Sequence, residues 1–163
     1  MSAPSREEIL DVLEYCPASG KFTWKVDRGG TAWAGTQAGA VDGNGYTNIR
    51  FNGRLFKAHR LAWLVIHGVW PSHDIDHINR DKSDNRIVNL RLATDAQNVA
   101  NSTVRRDNRC GLKGVSQRGR KYIARITKNK TRVVIGLFLS KEEAHSAYLA
   151  EAQKYFGQYA RSA

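Results

Sequence analysis

Cysteine is scarce in this 163-residue chain: Cys16 and Cys110 are the only two, and they lie far apart. They form neither a disulfide framework nor a Cys-x-x-Cys zinc pattern. That scarcity suits an intracellular, reducing compartment, so a cytoplasmic protein is expected. No stretch approaches eighteen apolar residues, which excludes a hydrophobic helical membrane span. Residues 1–8 lack a charged-then-apolar signal, so export is not expected. Internal repeats and low-complexity tracts are absent as well. The 41% hydrophobic and 25% charged fractions are ordinary for a globular protein and exclude wholesale disorder. The length fits one medium domain or two small ones.

Acidic residues are also few: 15 Asp and Glu face 26 Lys and Arg, a net charge of +11. The imbalance is local. Residues 1–103 hold 12 basic and 11 acidic side chains, a net of +1; residues 104–163 hold 14 and 4, a net of +10. A polyanion is the natural partner of such a segment, and nucleic acid is the commonest inside cells. A basic surface kept only for solubility is the plainer reading.

Local patterns predict a helix over Arg6 to Tyr15, opened by a Ser5–Glu8 capping box and carrying Ile9, Leu10 and Leu13 on its apolar face. A strand follows at Lys21 to Lys25, then a glycine-rich loop from Asp27 to Gly45. Tyr46 to Phe51 and Arg54 to Lys57 read as a hairpin joined at Asn52-Gly53. Ala58 to His67 reads as a helix ending at Gly68, with His59 at its start, placed to contact DNA or to cap. Trp24, Trp33, Trp63 and Trp70 are expected in the core.

The polar run 102–110 reads as a linker, giving an expected first domain of 1–102, a linker of 103–110 and a second domain of 111–163. Three strands are expected at Gly114 to Gln117, Tyr122 to Thr127 and Arg132 to Phe138, with turns at Arg118-Gly119 and Lys128-Asn129-Lys130. The last helix spans Lys141 to Tyr155, with a Ser140–Glu143 capping box and Ala144, Tyr148, Ala152 and Tyr155 on one face.

The chemistry concentrates between residues 73 and 102. A short strand carries Asp76 and His77, a polar loop follows, Asn89 to Ala93 reads as a second strand, and Thr94 caps a short helix through Asn98 and Asn101. Asp74 shares the strand face of Asp76. Strand, loop, strand and helix bring a carboxylate, an imidazole and amides together. A hard divalent cation takes oxygen ligands, and an attacking water needs a base that titrates near neutrality.

Asp76-His77, followed by Asn89 and Asn98 at this spacing, resembles the HNH endonucleases, which have a ββα-metal fold. His59-Arg60-Leu61-Ala62-Trp63, Ile75-Asp76-His77-Ile78-Asn79, Asp84-Asn85-Arg86, Asn89-Leu90-Arg91 and Thr94 resemble the phage homing subgroup, over roughly residues 46–102. The resemblance implies that His77 is the general base. It implies that Asp76 and Asn98 ligate one divalent cation, Mg²⁺ or Mn²⁺, and that Asn89 orients His77. Asn98 stands where many of these enzymes carry histidine, and the resemblance with this poorer ligand implies slow turnover and nicking of one strand.

The C-terminal pattern resembles the DNA-binding domain of plant Apetala-two/ethylene-response factors, through Gly114-Val115, Tyr122 to Ile126, Ile135 to Phe138, Glu142-Glu143-Ala144, Ala147-Tyr148 and Phe156-Gly157. It implies a three-stranded sheet that enters the major groove of double-stranded DNA. Arg118, Arg120, Arg125, Lys128, Lys130 and Arg132 would then point outward to guanine edges and phosphates. The expected molecule is α+β: an N-terminal nuclease followed by a small antiparallel sheet and one helix. It would act as a monomer on DNA and touch no membrane. The rival expectations are a non-catalytic DNA-binding regulator with a decayed nuclease fold, and a structural or RNA-binding module.

Overall fold

The computed structural model describes residues 3–128 and 130–160. Asn129, the centre of one expected turn, lies outside the described residues, as do residues 1–2 and 161–163 of the expected termini. The chain is mixed α+β, with four α-helices and small antiparallel sheets among the described residues. It divides into two compact units, Met1–Leu92 and Ala93–Ala163. No helix among the described residues is long and apolar enough to cross a membrane.

In the first unit, α1 (Arg6–Val12) opens on the Ser5–Glu8 capping box: Ser5 Oγ accepts from the Glu8 N–H at 3.1 Å, and Glu8 accepts from the Ser5 N–H at 2.7 Å. The helix is shorter than expected. Leu13 and Tyr15 belong instead to β1 (Leu13–Cys16), where they alternate inward and pair with β2 (Lys21–Trp24). The glycine-rich loop is also less bare than expected. It contributes β3 (Gln37–Ala38) beside β2, and β4 (Ala40–Val41) beside β5 (Thr47–Phe51). β5 turns through Asn52 and Gly53, both at positive φ, into β6 (Arg54–Lys57).

Helix α2 (Ala58–His67) buries Leu61, Ala62, Leu64 and Val65 against Ile9, Leu13, Phe22 and Ile49. Of the tryptophans, Trp24 is buried and Trp63 and Trp70 pack on this core. Trp33 departs from the expectation: it sits in the loop before β3 and is 54% exposed. β7 (Asp74–His77) pairs with β8 (Leu90–Ala93). Asn89, expected to start that second strand, instead closes a 3-10 turn over Ile87–Asn89.

The second unit begins with α3 (Asp95–Asn101), opened by a Thr94–Gln97 capping box. Its other end is held by Lys113, whose buried Nζ donates to the carbonyls of Val99, Ala100 and Ser102 at 2.9, 2.6 and 2.6 Å. Ala100 packs with the core of the C-terminal sheet, which is why compactness divides the chain before α3 rather than at the expected linker. β9 (Val115–Arg118), β10 (Lys121–Lys128) and β11 (Thr131–Phe138) form an antiparallel sheet with β10 central. α4 (Lys141–Phe156), with its Ser140–Glu143 capping box, buries Ala144, Tyr148, Ala152 and Phe156. These lie four residues apart on one face; Tyr155, expected among them, falls beside that face and is 39% exposed.

Candidate active site

β7 delivers the two central residues. Its burial alternates only at first: Asp74 is exposed, and Ile75, Asp76 and His77 are buried. Ile75 joins the apolar core and anchors the strand. Asp76 therefore cannot rely on solvent to stabilise its charge. Arg91, on the paired strand β8, supplies that charge balance: its Nε donates to Asp76 Oδ2 at 2.8 Å, and a terminal nitrogen lies 2.7 Å from the same oxygen.

The chain after His77 is held by Asn89. The Ile78 N–H donates to the Asn89 backbone carbonyl at 2.9 Å. The Asn79 N–H donates to Asn89 Oδ1 at 2.9 Å, and Asn89 Nδ2 donates to the Asp84 carbonyl at 2.8 Å. One buried side chain thus ties the start of the loop to its far limb. Between these ties Arg80 takes a left-handed φ of 69° and donates its N–H to the His77 carbonyl at 2.9 Å. Arg86 closes on Asp84 with two charged hydrogen bonds, which hold the Asp84 carboxyl down at about 2.

Asn85 sits inside this loop and faces the imidazole, with Oδ1 at 3.4 Å from His77 Nε2. It is supported from the N-terminal hairpin: the Tyr15 hydroxyl donates to the Asn85 carbonyl at 2.8 Å. Gly20 lies against the same backbone, at a φ of +73°.

Two further rings surround His77. The His59 ring meets it edge-on at 5.0 Å, and the Tyr46 ring lies 6.1 Å away. His59, left open between DNA contact and capping by the sequence, is 7% exposed, and among the described residues its Nδ1 has no hydrogen-bond partner. Burial, reinforced by His77 and by Arg60 and Lys57, lowers the His59 pKa to about 3. Burial also lowers the His77 pKa, against the opposing pull of Asn85, Asp76, Asp84 and Asp81. Both imidazoles are neutral at pH 7. A neutral His77 is in the form that accepts a proton.

Asn98, the remaining expected ligand, stands on α3 of the second unit, with its N–H bonded to the Thr94 carbonyl at 2.9 Å. Among the described residues no group of three or more His, Cys, Asp or Glu is placed to hold a metal. Aspartate and asparagine side chains carry oxygen donors, the kind that a hard cation such as Mg²⁺ takes.

In the second unit Arg118, Arg120, Lys130 and Arg132 are exposed around the sheet turns, and Arg125 Nη1 lies 3.4 Å from Ser116 Oγ. Lys128 departs from the expected outward set. Alternation puts it on the side of Ala124 and Ile126, which face α4, and there it pairs with Glu151 of that helix. Asn85 and Arg91 fall within the runs that resemble the family but carry no expected catalytic role, and Tyr15 and Gly20 are expected only in a helix and at its break. Their contacts join different elements, so no local pattern announces those contacts.

Residues 56–100 match the family model described as HNH endonuclease, a span that contains Asp76, His77, Asn89 and Asn98. The matched segment is similar to the HNH endonuclease family. A relative described as an uncharacterized HNH endonuclease, L560, of Acanthamoeba polyphaga mimivirus is 35% identical over 104 residues. That alignment covers 63% of this chain and 54% of the relative, so the chain spans about half the length of the curated relative it matches. No solved structure gives a significant match.

Proposed function

We propose that the protein is a metal-dependent endonuclease that hydrolyses phosphodiester bonds in double-stranded DNA, of the phage homing or nicking type. The observation that carries this reading is the placement of His77: buried, beside Asp76, on a loop clamped by Asn89, within the segment matched to the HNH family.

Asn85 Oδ1 accepts the Nε2 proton of His77 and so favours the tautomer with its lone pair on Nδ1. His77 takes a proton from the attacking water, the new P–O bond forms, and the bond to the 3′ oxygen breaks. Asn89 keeps the loop, and with it the imidazole, in place. Asp76 and Asn98 would hold one Mg²⁺ or Mn²⁺, which supplies Lewis-acid stabilisation of charge on the phosphate and the leaving oxygen. The sheet of the second unit, resembling the plant Apetala-two/ethylene-response-factor domain, would dock the duplex through Arg118, Arg120, Arg125, Lys130 and Arg132, as a monomer on DNA. Lys128 is engaged by Glu151 and stands outside that set.

The test is cleavage of supercoiled plasmid with Mg²⁺, Mn²⁺ or EDTA by wild type and His77→Ala. Metal-dependent relaxation that disappears in His77→Ala is expected, and accumulation of nicked circles would support a nicking enzyme. Salt-sensitive DNA binding without cleavage in any metal, on DNA containing the target sequence, would favour the non-catalytic regulator. Cleavage that survives His77→Ala would remove His77 from the mechanism.

A further inference from the structure

Beside His77 the first unit carries a second charged cluster that the proposed chemistry does not use. Tyr46 follows the Asp42–Gly45 turn, and its ring lies 6.1 Å from the His77 ring. Two ammonium groups converge on it: Lys57 Nζ at 4.5 Å and Lys82 Nζ at 4.7 Å from the ring centre. They come from different places, Lys57 from the end of β6 and Lys82 from the loop after His77.

Their charges are balanced unequally. Lys57 is paired with Asp42 at 2.7 Å, which also accepts from Asn48 and from the Tyr46 N–H. Lys82 donates only to the Asn44 carbonyl, at 3.2 Å, and among the described residues no carboxylate lies within ion-pair distance of it. The acids nearest in sequence are turned away: Asp81 bonds to Ser83, and Asp84 to Arg86 and Asn79. An exposed lysine is thus held in place, without a counter-ion, one ring away from the candidate base. Lysine serves as a point charge for phosphate rather than as a reader of bases.

We propose that Lys82, supported by Lys57 on the Tyr46 ring, seats a backbone phosphate of the DNA strand next to the one attacked. The proposal rests on the endonuclease reading of His77, and the experiment separates the two. Binding of a duplex is measured by anisotropy at several salt concentrations in EDTA, using His77→Ala protein with Lys82 intact, Lys82→Gln or Lys82→Arg. The same Lys82 changes are made with His77 intact and assayed on plasmid with Mg²⁺.

Lys82→Gln should lower the slope of log affinity against log salt by about one, because one phosphate contact is lost. It should raise KM several-fold more than it lowers kcat, and Lys82→Arg should restore both readouts. The thermal midpoint should not move, since Lys82 is exposed. An unchanged salt slope would overturn the seat. So would a kcat loss at unchanged KM, which would make Lys82 a support of the His77 loop. A plasmid containing the target sequence left uncut in Mg²⁺ and Mn²⁺ by the protein with both residues intact would sink the endonuclease reading, while the salt slope would still decide for or against the phosphate contact.

Discussion

Arg91 directs its Nε and a terminal nitrogen onto one oxygen, Oδ2, of Asp76, at 2.8 and 2.7 Å. The two side chains are only 11% and 9% exposed. Removing one partner of such a pair strands the other charge away from water, at a cost of about 3–5 kcal/mol. Arg91→Met should therefore lose stability of that order in urea unfolding. The same change removes a positive charge from the proposed cation ligand, so Mn²⁺ should stabilise Arg91→Met more than it stabilises wild type. Equal stabilisation of both proteins would detach Asp76 from metal binding.

Asn89 presents a different kind of dependence. Its amide satisfies the Asn79 N–H and the Asp84 carbonyl together, so Asn89→Ala orphans two backbone groups at once. Both groups lie in a partly exposed loop where water can replace some of the loss. The expected cost is about 1–3 kcal/mol. Cleavage should fall by more than that stability loss accounts for, because the freed loop carries His77. Initial rates well below the unfolding midpoint separate the two effects, and a wild-type kcat there would contradict a positioning role.

The pH profile follows from the two histidines. His77 must be neutral to act as a base, and burial lowers its pKa below 6.5. The acid limb of kcat/KM should therefore lie below pH 6.5, with activity rising as pH rises through it. Stability should follow His59 in the same direction. Its folded pKa of about 3 lies below the unfolded value, so the unfolded chain binds more protons in between. Stability is full above about pH 6.5 and falls as pH drops towards 3, by roughly 2 kcal/mol from this group at pH 5. His59→Phe should flatten that slope between pH 5 and 6.5. Asp84, held at about 2, acts only below pH 4, while His77, also lowered by burial, adds a slope of the same sign, so His59→Phe should reduce the slope without abolishing it. An unchanged slope in His59→Phe would assign the acid sensitivity elsewhere.

What was legible in the sequence is what local chemistry decides. Ser5, Thr94 and Ser140 each start a helix by bonding the N–H three residues on, and all three helices begin there. Asn52-Gly53 sets a hairpin, and each strand of the second unit lies within one residue of its expected bounds, although the β10–β11 register shifts between Ala124 and Arg125. The end of α1 was not legible, because Leu13 fits a helical face through Ile9 and an alternating strand through Tyr15. Pairing with β2 decides it. Arg91, Tyr15 and Lys113 were equally hidden. Each completes its bonding with a residue on another element, and a single sequence carries no signal of such meetings.

Gly20 shows how far that hidden support reaches. It lies near the turn between β1 and β2, far in sequence from His77, at a φ of +73°. A Cβ there would sit 2.4 Å from the Arg86 nitrogen and 2.5 Å from the Asn85 carbonyl carbon. Both are backbone atoms, so the loop itself must shift, and Asn85 must move relative to the His77 ring. Gly53 is the natural comparison: its φ is +77°, and a Cβ there would meet nothing within 4 Å. Gly53→Ala should cost only the left-handed backbone penalty of about 1 kcal/mol and keep full kcat. Gly20→Ala should cost clearly more and lower kcat about tenfold or more, as sub-ångström to ångström displacements in active sites do. Paired urea unfolding and plasmid-nicking rates read both quantities. If Gly20→Ala loses stability but cleaves like Gly53→Ala, the hairpin supports the fold alone, and the Asn85 contact does not position the base.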